Sequence, residues 1–256
     1  MEENEYQKMY ELEEKYWWHV GRQDIIFSQI EKLLDSKNKS VDILDVGCGT
    51  GINFKILNRF GKVTGIDNSQ LAINFCQKRG IKDVLKGEAE KLPLTDNSYD
   101  LVCAFDLIEH MDDDEKALRE FYRVCKPSGY VFILAPAYQF LWSEHDEALH
   151  HKRRYTLSDL HRKLSLAGFI LHKRSYLITF LFLPILIFRF SKSLTNNKKG
   201  SKTSYFLLPP PVNAFFIWLL KVESLLLRKI NFPFGASVLT IGQKRVGHLA
   251  NPDRDE

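Results

Sequence analysis

The chain has 256 residues, 45% of them hydrophobic and 27% charged, which is long and apolar enough to bury one sizeable core and excludes a mainly disordered polypeptide. Its 36 basic and 32 acidic side chains leave a formal +4, too small an excess to argue for nucleic-acid binding, and no nucleic-acid reading module is recognised. Cys48, Cys76, Cys103 and Cys125 form no CxxC pair, so neither a zinc ribbon nor a disulfide framework is expected. A reducing compartment fits, and the opening Met1-Glu2-Glu3-Asn4-Glu5 lacks the basic and apolar parts of a secretory signal. The expected location is cytoplasmic.

In chain order, residues 1–40 read as a helical lid. Within it Tyr16-Trp17-Trp18-His19-Val20-Gly21-Arg22 sets three aromatics side by side, which cannot share one helix face. Some of them close over a ligand, or Trp17 and Trp18 only dock the helix. Residues 41–175 read as the core. Short β-rich runs at Val41–Val46, Lys62–Ile66, Val84, Tyr99–Ala104 and Gly129–Ala135 alternate with helical segments at Gly51–Arg59, Ser69–Arg79, Asp112–Cys125 and Leu157–Leu166. This alternation predicts an α/β fold with a mainly parallel sheet and helices on both faces. Ser69 and Asp112 are the expected N-caps, and Gly80 and Gly168 the stops.

Residues 176–230 change texture. Eight basic residues face the single acid Glu223, a net +7, and two apolar runs are broken by Pro184 and by Pro209, Pro210 and Pro211. Neither run reads as a clean membrane span. The segment is expected to be a helical cap with its leucines and aromatics packed inward. It serves as a further core layer, a homodimer interface, or a peripheral attachment to anionic lipid at the inner face of the membrane. A closing strand around Ser237–Ile241 lies within residues 231–246, and a frayed tail follows at 247–256.

Asp42-Ile43-Leu44-Asp45-Val46-Gly47-Cys48-Gly49-Thr50-Gly51 places three alternating glycines where a strand hands over to a helix. Without a Cβ, the backbone there can approach a ligand and turn its free N–H groups onto it. A dinucleotide fingerprint wants glycine at 52, where this chain has Ile, which disfavours a nicotinamide or flavin dehydrogenase. Asp67 ends the second strand, placed either to accept hydrogen bonds from a ribose or to cap the following helix.

These motifs, together with Gly65-Ile66-Asp67, Gly87-Glu88-Ala89-Glu90-Lys91-Leu92-Pro93-Leu94, Tyr99-Asp100-Leu101-Val102, Glu109-His110 and Lys126-Pro127-Ser128-Gly129, resemble the class I S-adenosylmethionine-dependent methyltransferases. The similarity is to the methyltransferase type 11 group, related to the ubiquinone and menaquinone biosynthesis enzymes. It covers residues 40–175 and implies a Rossmann-like seven-stranded sheet with an antiparallel last strand. It also implies S-adenosylmethionine as cofactor and S-adenosylhomocysteine as product. By resemblance, Gly47, Cys48 and Gly49 lie along the methionine part, supported by Asp45. Asp67 holds the ribose, Asn68 flanks the adenine, Glu88 and Ala89 read its edge, and Phe105 sits near the methionine chain. His110 faces the reacting centre or merely caps a helix. His19 and Arg22 join the lid, with Arg22 placed to pair with the methionine carboxylate.

The loop after the fifth strand leaves the sheet edge where such folds bind ligands, and is the expected acceptor site. His145 and Asp146 form the candidate base and its orienting carboxylate. Trp18, Tyr138, Trp142, His150, Arg153, Arg154 and Tyr155 are the candidate acceptor contacts. The alternative is a solvated rim and a loop-to-helix junction. The histidine spacing matches no tight ligand motif, so no metal is expected. The implied activity is methyl transfer to oxygen or carbon of a small-molecule, lipid-like or glycan acceptor. The alternative is a noncatalytic cofactor-binding protein that recruits a partner through residues 176–230.

Overall fold

A computed structural model describes residues 3–34, 40–194 and 208–246. Helices α1 (Glu3–Leu12) and α2 (Trp17–Leu34) precede β1 (Val41–Val46), α3 (Phe54–Leu57), β2 (Gly61–Asp67), α4 (Gln70–Lys78), β3 (Val84–Lys86) and β4 (Tyr99–Phe105). There follow α5 (Asp114–Val124), β5 (Cys125–Pro136), α6 (Glu144–Ala148), α7 (Leu157–Leu166), β6 (Phe169–Leu177), α8 (Phe182–Leu194), α9 (Pro210–Leu227) and β7 (Ser237–Lys244). The seven strands lie in the order β3-β2-β1-β4-β5-β7-β6. β1 to β5 pair in parallel, and β7 runs antiparallel to both β5 and β6, as the resemblance implied.

Successive side chains on a strand point to opposite faces, and the central strands are apolar on both. Ile43 and Cys103 meet Ile26, Ile30 and Leu220 on one side. Leu44 and Val102 meet Leu118, Phe121 and Leu160 on the other. The strand order reverses between β1 and β4, so a crevice opens beyond their C-terminal ends, where this class of sheet binds ligands.

Several boundaries shift. The helix expected over Gly51–Arg59 shrinks to α3, because Gly51 adopts a φ of +81° and the chain turns before it coils. Asp113, not Asp112, caps α5, its carboxylate accepting from the Lys116 N–H at 2.9 Å. β5 starts at Cys125 rather than Gly129. Lys126 anchors it there, its ammonium donating to Asp42 at 2.7 Å and Asp100 at 2.8 Å. Ser69 does cap α4, and Gly80 and Gly168 adopt φ of +81° and +101° where α4 and α7 stop.

The segment before β7 contributes α8 and α9; residues 195–207, with Lys198, Lys199 and Lys202, lie outside the described residues, as does the tail 247–256. α9 packs along α2. Gly21 makes this approach possible, since a Cβ there would stand 2.4 Å from Leu220 Cδ1. Asn213 accepts from the Trp17 N–H at 3.0 Å, Ser224 donates to Ser28 at 2.8 Å, and the Trp17 ring meets Phe216 edge-on at 5.3 Å. The expectation of inward-packed aromatics holds for one side only, because Phe215, Trp218 and Leu225 are 53%, 56% and 61% exposed. Nor do the prolines interrupt the second run. Pro210 and Pro211 start α9, where a missing N–H costs nothing, and α9 is long and apolar enough to cross a membrane by length and composition. Glu223 is fully buried in it and accepts from the backbone N–H groups of Ile178 and Phe180.

Candidate active site and cofactor pocket

The glycine loop leaves β1 with Gly47 at φ +69° and Gly49 at φ +56°. Gly47 has no room for a side chain, since a Cβ would lie 2.6 Å from Leu107 Cδ1. At Gly49 nothing comes nearer than Met9 Cε at 3.6 Å, so a side chain here would fill open space above the loop. Asp67 joins the two strand ends, its carboxylate accepting from Gly49 N–H at 3.0 Å and Ser69 N–H at 2.9 Å. It therefore orders the turn into α4 and also lines the crevice, with accepting capacity left on each oxygen. Asp45 sits buried beneath the loop. Burial pushes its carboxyl up to about 7, against the opposing influence of Asn53.

The crevice is a cavity of about 1080 Å³, above the usual size of a site for one small ligand. α1 and α2 roof it with Met9, Trp17, Trp18, His19 and Arg22. Gly47 to Thr50, Asp67, Asn68, Ala89 and Phe105 form its cofactor end, and Glu109, His110, Trp142, His145, His150, His151 and Arg154 the other. Trp17 and Trp18 thus both dock the helix and face the cavity.

Two expected cofactor contacts need correction. Glu88 is exposed and the cavity is lined instead by Gly87, Ala89 and Glu90; Glu88 opens the turn that follows β3, its carbonyl accepting from the Lys91 N–H at 3.1 Å. Arg22 pairs with Asp106, a residue at φ +51° just past β4, rather than standing ready for a ligand carboxylate.

At the acceptor end the expected His145–Asp146 pair is not formed. Asp146 is fully buried; His151 Nδ1 lies 2.9 Å from its Oδ1, and Arg154 donates to both oxygens at 2.8 and 2.9 Å. Arg189 of α8 stands 3.6 Å away. Together His151 and Arg154 hold the Asp146 carboxyl well below the usual carboxylate range despite its desolvation. His145 stands apart, its Nδ1 buried and without a hydrogen-bond partner among the described residues. Desolvation lowers its pKa to about 4. The same cause takes His19 and His110 to about 3, so these rings are neutral at neutral pH.

Arg154 spends three of its five N–H donors on Asp146 and on the Ala137 carbonyl, the last at 3.0 Å, so it is committed first to the buried cluster although it also lines the cavity. Arg153 bonds to the Met111 and Asp112 carbonyls and does not line the cavity. Tyr138 is stacked between Phe140 and Tyr176 at 4.9 and 4.8 Å. Tyr155 is buried, donating to the Ile108 carbonyl at 3.0 Å and meeting Asp114 at 2.6 Å. Arg153, Tyr138 and Tyr155 are thus engaged with the protein itself and do not line the cavity. Tyr155→Phe should therefore cost about 1–2 kcal/mol of stability in a denaturant melt and leave cofactor affinity unchanged. A tenfold loss of affinity would return Tyr155 to the site.

Sequence reasoning missed Glu109 as a lining residue, although it belongs to the Glu109-His110 motif, and missed His151, Arg189 and Glu13. The signal for Arg189 was its isolation as the one charge in an apolar run. Glu13 gave none; it is buried against Thr50 and Arg79 only because α1 folds over the glycine loop.

The open space above Gly49, the loop N–H groups, the acceptor capacity of Asp67 and the apolar wall of Ile66, Ala89 and Phe105 fit an adenosyl sulfonium. A family model for a methyltransferase domain matches residues 44–133, from β1 to β5. A Mycolicibacterium smegmatis protein named a probable S-adenosylmethionine-dependent methyltransferase is 27% identical over 161 residues, which are 61% of this chain and 60% of that one. The demethylmenaquinone methyltransferase of Chlorobaculum tepidum is 35% identical over 97 residues, 37% of this chain and 40% of that one. These matches span less than two thirds of either relative. A solved S-adenosylmethionine-dependent methyltransferase of Thermotoga maritima shares the fold with a TM-score of 0.57 at 21% identity, covering 94% of this chain and 96% of its own. With its motifs in order along this strand sequence, the chain matches a methyltransferase domain over residues 44–133 and is similar to the class I S-adenosylmethionine-dependent methyltransferases.

Proposed function

We propose that the protein transfers a methyl group from S-adenosylmethionine to an oxygen or carbon of a small, lipid-like acceptor. The observation that carries this reading is the single cavity that runs from the glycine loop to the histidine-rich loop after β5, with room for two reactants side by side. The demethylmenaquinone methyltransferase relative makes a quinone-like ring with an apolar tail the first acceptor class to try.

Bound S-adenosylmethionine supplies an electrophilic methyl carbon on a cationic sulfur. The chain's part is mainly alignment, which can remove up to about 7–11 kcal/mol of barrier. The glycine loop and Asp67 fix one reactant, while Trp18 and Phe105 exclude water and offer ring faces to positive charge. His145, neutral above pH 4 or so, takes the proton from an acceptor hydroxyl at Nδ1 as the new bond forms.

His145→Ala should lower kcat by about 10²–10³-fold and leave cofactor affinity within twofold; an unchanged kcat removes it as base. Labelled-methyl transfer into quinone and lipid extracts tests the activity itself. Cofactor binding with no incorporation into any fraction would favour the noncatalytic alternative.

The outward face of α9, with Leu183 and Ile187 of α8 each 61% exposed, lies in the segment of excess positive charge. This supports attachment to an anionic membrane surface, from which an apolar acceptor enters the cavity. Sedimentation with phosphatidylglycerol vesicles that is abolished by Trp218→Glu is the expected result. A homodimer in solution, with no vesicle binding, would assign the face to a second subunit.

A further inference from the structure

We propose that Glu109, His110 and His151 bind a divalent transition-metal ion at the acceptor end of the cavity. The set differs from the three loop histidines and Asp146, whose spacing suggested no metal. Glu109 and His110 stand on the short turn after β4, and His151 follows α6. The Lys152 N–H donates to the Glu109 carbonyl at 2.8 Å and clamps the two segments together.

One ligand atom from each residue lies within 4.8 Å of the other two. Tetrahedral ligands at 2.0–2.1 Å from zinc stand about 3.4 Å apart, so a contraction of at most about 1.4 Å closes the set on one ion. The ring centroids of His110 and His151 are 4.7 Å apart, with planes at 83°, and all three residues line the cavity.

Both imidazole ligands are already oriented. His151 places Nδ1 against the Asp146 carboxylate at 2.9 Å, which fixes the proton there and leaves the Nε2 lone pair for a metal. The His110 ring bonds to the backbone of His150, which likewise commits one ring nitrogen and frees the other. Metal-ligating histidines carry outer partners of this kind.

Glu109 is the independent observation. Its side chain is wholly buried, at 0% exposure, and neither carboxylate oxygen makes a hydrogen bond to another of the described residues. The nearby arginines are committed elsewhere, Arg154 to Asp146 and Arg22 to Asp106. A buried carboxylate with no hydrogen-bond partner is costly, and an ion held by it and two imidazoles offsets that cost. Two histidines and one carboxylate leave further coordination positions open, and these face the cavity. A hydroxyl or phenol oxygen of the acceptor is the donor class they would take. That extension rests on the methyl-transfer reading; binding of the ion does not.

The test uses the full chain, stripped with chelator and titrated with Co²⁺ and Zn²⁺, followed by calorimetry and the visible bands of Co²⁺. One equivalent is expected, with affinity reduced at least 100-fold in Glu109→Gln and His151→Ala. His110→Gln serves as a second ligand variant if either fails to fold by circular dichroism. No stoichiometric ion, or equal affinity in wild type and folded variants, overturns the site. S-adenosylmethionine affinity is measured on the same metal-free sample. Cofactor binding without an ion refutes the metal site alone, and an ion without cofactor binding refutes the methyltransferase reading alone.

Discussion

Asp67→Ala should weaken S-adenosylmethionine binding about 100-fold or more. The carboxylate holds the N–H groups of Gly49 and Ser69, and its loss leaves two donors at the crevice floor without a partner. Each such loss costs about 1–3 kcal/mol, part of it before any ligand arrives, because the loop loses the anchor that sets its curvature. Loss of the remaining acceptor capacity toward a ribose adds to this. Asp67→Asn keeps one acceptor oxygen and should fall between the two. Calorimetry decides: an affinity within threefold of wild type in Asp67→Ala would remove the residue from the cofactor site, whatever its effect on stability.

The largest loss of stability is expected at Asp146. Its side chain has no solvent exposure, and His151, Arg154 and Arg189 converge on it. Removing one member of such a cluster strands buried positive charge, at a cost of about 3–5 kcal/mol. In a protein of this size that lowers Tm by roughly 6–20 °C. Adding Arg154→Met to Asp146→Ala should recover part of the loss, because the stranded charge goes too. The pH dependence follows the sign of the shift. The folded carboxyl titrates below its ordinary 3.8, so its contribution is present above pH 4 and is lost as pH falls further. Wild type should lose stability in that window and Asp146→Ala should lose less. Parallel curves for the two proteins would contradict the cluster.

The cofactor end was the more legible part of the chain. Gly47 and Gly49 mark positions whose φ is positive and whose Cβ is unwanted, and such demands leave the same residue type wherever the loop occurs. Asp67 was legible because it ends a strand beside that loop. The acceptor end was not, since spacing along a chain says little about which partner a charge meets after folding. His145 and Asp146 are neighbours in sequence, yet a helical turn sends adjacent side chains in different directions. Asp146 therefore meets residues five and eight positions further on, and Arg189 from a separate helix.

The sequence by itself determined the order of strands and helices, the glycine loop with its acidic partner, and the family resemblance, because each is written in local pattern: apolar runs, caps and a turn that only glycine allows. Tertiary structure alone decided that Glu88 faces water, that Arg22 is held by Asp106, and that α1 and α2 close over the site. It also brought Glu109, His110 and His151 together. Those facts depend on which surfaces come into contact when distant segments pack, and no single stretch of the chain encodes that.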